Sequence, residues 1–307
     1  MHLAEGVLPL SQAAAWSAVA APVVAWSIRG EQVGQAEGAP SSVIMAGVTS
    51  VLFAATLLPL PVPVVGATSH ICLTPVLALV VGIRRIVWPT FFVLALQALF
   101  FAHGGLTTLG INTLTLGLVG PAMAIGLWGL LQRLGSGKAL ALGFACGAGG
   151  LGVYVADAGV LAFALSDAAA PATTFSLVLA GFAPVQLPLA LLEAVVSVAI
   201  VRTLATRRPG LLPEGLRGFG ALPPARVSAL LVLLSALSTG CAYEGVDGTV
   251  FGAASEAAGR PPTDSIIDLS QGELGLAMTI VILFGLGFIA GRTWERYIAG
   301  EGDALPR

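Results

Sequence analysis

The sequence predicts an all-α integral membrane protein of seven transmembrane helices followed by two more. Composition is the first reason: 56% of the 307 residues are hydrophobic and 10% charged, with a mean hydropathy of +0.93, outside the usual balance of soluble domains. Second, nine apolar runs of bilayer-spanning length occupy residues 11–28, 43–60, 65–83, 87–102, 111–132, 139–165, 176–201, 226–242 and 273–291. The short alternating segments of a membrane β-barrel are missing, which leaves helices to satisfy the backbone in lipid. Third, the cations sort to one side. With an extracytoplasmic N-terminus, nine crossings put Arg29, Arg84, Arg85, Arg133, Lys138, Arg202, Arg207, Arg208, Arg217, Arg226, Arg292, Arg296 and Arg307 at cytoplasmic ends, leaving only Arg260 outside. The C-terminus is then cytoplasmic.

Taken in order, the first two runs carry stripes of small residues, Ala14, Ala18, Ala21 and Ala25 on one and Ala46, Ser50 and Ala54 on the other. Such stripes let helices approach closely, within the chain or against a partner. The third run contains Gly66, His70 and Pro75, a composition suited to an imperfect helix. The fifth follows a Gly- and Thr-rich stretch opened by His103. The sixth and seventh hold Asp157 and Glu193, ionisable groups that are costly in a membrane; structural hydrogen bonding and proton coupling are both open to them. Residues 203–225 are rich in Gly, Pro and Arg and read as a cytoplasmic linker. This divides the chain into a membrane domain over 1–202, the linker, and a two-helix part over 226–307. The final pair encloses an acidic outer loop, 243–272, carrying Glu244, Asp247, Glu256, Asp264 and Asp268, too small for a core of its own. A fragment ending near residue 205 is therefore expected to fold.

Several functions are excluded. A net charge of −2 with dispersed cations gives no nucleic-acid surface. GSGKAL at 135–140 resembles the end of a phosphate-binding loop, but Gln132 stands where Gly is required and Ala139 where Ser or Thr is required. No HExxH motif occurs. Cys72, Cys146 and Cys241 lie in or at the ends of apolar runs without paired spacing and read as packing residues.

All three histidines, His2, His70 and His103, fall toward the outer face. Neutral imidazole is the commonest metal ligand, although a polar residue satisfied by hydrogen bonds is the plainer reading. The opening MHLAEGVLPL has no basic n-region ahead of its apolar run, so removal as a signal is not expected. The bulky His2 predicts that Met1 is retained with a free amine. The Met1 amine, the His2 amide nitrogen and the His2 imidazole can close fused five- and six-membered chelate rings, three corners of a plane. His70 is the evident fourth donor, and planar nitrogen ligation favours Ni(II) or Cu(II).

MHLAEGVLP, GATSHICLTPVLALVVG, HGGLTTLGINTLTLGLVGP and QLPLALLEAVVSVAIV, in that order, resemble the CbiM/NikM family, the substrate-binding (S) components of energy-coupling-factor importers of nickel and cobalt. The resemblance covers about 1–202. It implies that Met1, His2 and His70 bind the metal, that the protein is a transporter subunit and not an enzyme, and that Ni2+ or Co2+ is the transported substrate. It also implies a transmembrane coupling protein (T component), separate ATP-binding cassette ATPases, and residence in a bacterial or archaeal cytoplasmic membrane. Ala46, Ser50 and Ala54 are then candidates for docking the coupling subunit. His103 has three open roles: support of the ligands, transient ligand, or helix cap. Thr107, Thr108 and Asn112 suit hydrogen bonding to the ligands or to the inserted terminus. Ala4 and Glu5 stand where the family often has Pro-Asp. Residues 203–307 resemble the family's small second component, fused here; EGVDGTVFGAASEAAG keeps only Asp247-Gly248 of its PDGLE motif. Nickel is expected over cobalt, with cobalt import or a stand-alone secondary carrier as alternatives.

Overall fold

The computed structural model describes residues 2–36, 42–62, 67–165, 170–220, 244–246, 248–293 and 295. Met1, Asp247, Cys241, the expected helix over 226–242 and the end of the expected linker lie outside the described residues. The architecture is helical. The first two runs form α1 (Leu10–Ala36) and α2 (Ser42–Leu57). After a hairpin of β1 (Leu60–Val62) and β2 (Ala67–Ser69) come α3 (Thr74–Val81) and α4 (Ile83–Phe100). α5 (Leu109–Leu114) passes through one π-helical turn, Thr115–Val119, into α6 (Gly120–Arg133). α7 (Lys138–Ala164) and α8 (Pro171–Arg207) follow. Beyond the undescribed stretch lie β3 (Glu244–Gly245), a π-turn over Gly248–Gly252, α9 (Ala253–Ala257) and α10 (Gly272–Thr293). Among the described residues, five stretches are long and apolar enough to cross a membrane: Ile83–Phe100, Leu109–Arg133, Lys138–Ala164, Pro171–Arg207 and Gly275–Thr293.

The third expected span, 65–83, is not a helix of that length. Residues 67–69 are strand, 70–73 are non-helical, and only Thr74–Val81 is helical. Pro75 stands in the first turn of α3; its ring would clash with the carbonyl of Ile71 and it has no N–H to give, so the helix cannot extend backwards. Leu73 is left-handed (φ 52°). The chain nonetheless travels from one end of the bundle to the other between His70 and Gly82, because α4 climbs back over roughly 27 Å at 1.5 Å per residue to His103. That passage is non-helical through residues 70–73 and helical from Thr74 to Val81. Non-helical backbone at this depth is tolerated only inside protein, and Ile71, Cys72, Leu73 and Thr74 are all buried.

The other corrections are smaller. The expected linker begins later than residue 203, since α8 runs to Arg207. Residues 209–216 then include two short 3-10 turns, and Leu212, Leu216 and Phe219 of the stretch up to Gly220 are buried. Lys138 Nζ donates to the Arg217 carbonyl (3.0 Å). Residues 135–137 form the turn between α6 and α7. Gly143 and Gly147 of α7 lie against Ala190 and Ala194 of α8, the small-residue contact that brings membrane helices together. Cys72 and Cys146 are buried in the core. The described residues of the loop expected over 243–272 are not loose either. β3 pairs in parallel with β2, and Phe251 is buried with its ring 4.5 Å from Phe182.

Candidate metal centre

Three separated segments meet at one end of the bundle. His2 precedes α1. His70 sits between β2 and the broken helix α3. His103 follows α4, where Ala102 turns left-handed (φ 47°) and the His103 amide donates to the Gln97 carbonyl (3.1 Å). Ring centroids are 5.1 Å apart for His2 and His70, 4.5 Å for His2 and His103, and 5.6 Å for His70 and His103. One ligand atom from each lies within 4.8 Å of the others. His2 is 3% exposed and His70 5%. Both ring nitrogens of His2 and Nε2 of His70 are buried without a hydrogen-bond partner among the described residues. Unsatisfied buried nitrogens are costly, and a metal ion would satisfy them. Burial, with His103 alongside, holds the His2 imidazole well below the usual histidine range, in the neutral form that ligates metal.

The N-terminal segment is inserted, and its partners are local and specific. The Leu3 N–H donates to Asn112 Oδ1 (2.9 Å). The Leu3 carbonyl accepts from Asn112 Nδ2 (3.1 Å) and Thr108 Oγ1 (2.5 Å). The Glu5 carboxylate accepts from the amides of Leu106 (2.7 Å) and Thr107 (3.2 Å) and from the Thr107 hydroxyl. Gly105 makes the approach possible, since a Cβ there would lie 2.6 Å from the Glu5 amide nitrogen. Thr108 and Asn112 thus hold the backbone of the terminal segment at Leu3, and Thr107 holds the Glu5 carboxylate. Glu5 is the residue that sequence reasoning undervalued. Its partners are backbone amides of the Gly-rich stretch, and a backbone amide has no signature in sequence.

The segment between α9 and α10 closes over this stretch. The Thr263 amide donates to the Glu5 carbonyl (3.0 Å), the Thr263 side chain lies over Gly6, and Arg260 Nε donates to the Val7 carbonyl (3.4 Å). The Glu193 carboxylate accepts from the amides of Cys72 (3.3 Å) and Leu73 (3.0 Å) just ahead of α3. Asp157 is buried on α7. Ala46, Ser50 and Ala54 do not form one open face: Ser50 is buried with its hydroxyl on the Ala46 carbonyl (2.9 Å), Ala46 is half-buried and Ala54 exposed. Thr293 of α10 packs beside them on Gly47.

The family model described as CbiM, cobalt uptake substrate-specific transmembrane region, matches residues 2–211. The chain belongs to the CbiM family. A cobalt transport protein CbiM of Geobacter sulfurreducens is 33% identical over 97% of this chain and 90% of its own length. Another from Sorangium cellulosum is 37% identical over 69% of this chain and 94% of its own. A crystal structure of a truncated transition metal transporter shares the fold, with a TM-score of 0.56 at 22% identity over 67% of this chain and 99% of that one. Membership in the CbiM family makes the chain a transporter component and not an enzyme.

Proposed function

We propose that this chain captures a divalent cobalt or nickel ion at its extracytoplasmic end and is the substrate-specific subunit of an ATP-driven energy-coupling-factor importer. The observation that carries the reading is the convergence of His2, His70 and His103 in a buried site at one end of a set of membrane helices. The Met1 amine and His2 amide complete a chelate with the His2 and His70 imidazoles. Four planar nitrogens suit nickel. A third imidazole within reach adds a donor outside that plane, which suits cobalt at higher coordination number, and the relatives are named for cobalt transport. His103 is then the residue that separates the two ions.

The basic residues Arg84, Arg133, Lys138 and Arg207 lie at the helix ends away from the histidines, which supports the outward-facing site. Energy comes from separate ATPase subunits through a coupling membrane protein. Of the α2 stripe, Ala54 offers that partner an exposed position.

Titration of the purified protein with Co2+ and Ni2+, followed by calorimetry and absorption, tests this reading. One tight site is expected, lost in His70→Ala, with His103→Ala shifting preference toward nickel. Absence of binding, or binding indifferent to His2 and His70, would refute it. Metal uptake by this chain alone into vesicles driven by a proton gradient would instead establish a secondary carrier.

A further inference from the structure

We propose that Glu193 is a positioning residue for the metal site: with Gln186 it clamps the chain on both sides of His70 and so sets where that imidazole stands against His2 and His103. The proposal rests on the metal-capture reading above. His70 lies on a connection that has no helical ladder of its own. On its C-terminal side the Cys72 and Leu73 amides donate to Glu193 Oε2 and Oε1 (3.3 and 3.0 Å). These are donors that the start of a helix leaves without an internal partner. A carboxylate there also meets the positive end of the α3 dipole. On the N-terminal side the Ser69 hydroxyl is held between Gln186 Nε2 (2.8 Å) and the Tyr154 hydroxyl (3.1 Å). Gln186 and Glu193 are two turns apart and share a face of α8. One helix thereby fixes the chain on either side of His70.

The surroundings are built for the carboxylate. A Cβ on Gly150 of α7 would stand 2.5 Å from Glu193 Oε2 and 3.5 Å from Cys72 Sγ, so the bare backbone there is what admits it between α7 and α3. A cavity of about 10 Å³ bounded by His70, Cys72, Tyr154, Gln186 and Glu193 has room for roughly one water. Glu193 itself is 3% exposed, so bulk water cannot replace it as acceptor for the two amides.

The test uses the full-length protein in detergent and Co2+ as probe. Glu193→Gln keeps the side-chain volume but turns an N–H donor toward one of the two amides. Affinity should fall by about 10–100-fold, the usual effect of losing an outer partner of a metal ligand, and the cobalt absorption bands should move. Gly150→Ala leaves the carboxylate in the chain and displaces it, so it should shift affinity and spectrum in the same sense. If Glu193→Gln does not fold, Gly150→Ala decides. Parental affinity with an unchanged cobalt spectrum in either folded variant overturns the proposal. His70→Ala separates the two ideas: if it binds Co2+ like the parent, the metal-capture reading fails, whereas its loss of binding beside an unaffected Gly150→Ala protein sinks the clamp alone.

Discussion

Asn112 and Leu3 form a closed pair in which the side-chain amide acts like a neighbouring strand: Leu3 N–H donates to Oδ1 at 2.9 Å and Nδ2 donates back to the Leu3 carbonyl at 3.1 Å. Leu3 is fully buried, so water cannot substitute. Asn112→Ala leaves the Leu3 N–H unpaired, at a cost of about 1–3 kcal/mol, while Thr108 still serves the carbonyl. Docking of the terminus, and with it Co2+ affinity, should fall by roughly 10–100-fold. Asn112→Asp keeps the acceptor and loses the donor, so it should bind better than Asn112→Ala. Equal affinity of the parent and both variants in calorimetry would show that this pair does not hold the terminus.

The terminal amine gives the second prediction. A residue added ahead of Met1 moves the amine away from His2 and changes the chelate ring sequence, so metal binding should drop steeply. His2→Ala should have a similar effect, by removing the imidazole and one ring of the chelate together. A nickel-loaded parent protein is expected to be yellow and diamagnetic if four planar nitrogens bind. An octahedral, paramagnetic spectrum unchanged by the extension would exclude the amine.

Acidity gives the third. The docked His2 has its pKa lowered by burial and by His103, whereas an undocked terminus titrates near 6.5. Between the lowered value and about 6.5 the undocked form binds a proton that the docked form does not, so docking strengthens as pH rises through that window and weakens as pH falls through it. Metal must also displace protons from its ligands. Both effects have the same sign. Affinity measured at about pH 7.5 should exceed that at about pH 5.5, and a flat profile would mean that His2 does not gate binding.

Truncation gives the fourth. A fragment ending near residue 205 cuts α8 before Arg207 and discards buried Leu212, Leu216 and Phe219, so it should be markedly less stable than one ending at Gly220. The longer fragment should fold and bind metal, but release it faster, because the contacts of Thr263 with Glu5 and of Arg260 with Val7 are gone. Stopped-flow chelation reads the release rate, and a rate equal to that of the whole chain would free the segment carrying Arg260 and Thr263 of any retaining role.

The membrane class, most of the helical runs and the three histidines were legible from residues 1–307 alone, because lipid imposes a length and an apolar composition on each span, and because imidazole and a histidine in second position are chemically distinctive. Gly66 and Pro75 marked the third run as an imperfect helix, but sequence could not show how much of it is non-helical, because a run buried in protein is as apolar as one facing lipid. Only the tertiary structure brought His103 into the cluster with His2 and His70 and gave Glu5 and Glu193 their tasks. Each of those carboxylates is held by backbone amides far along the chain. Any residue but proline supplies such an amide, so only folding decides which ones a buried acid meets.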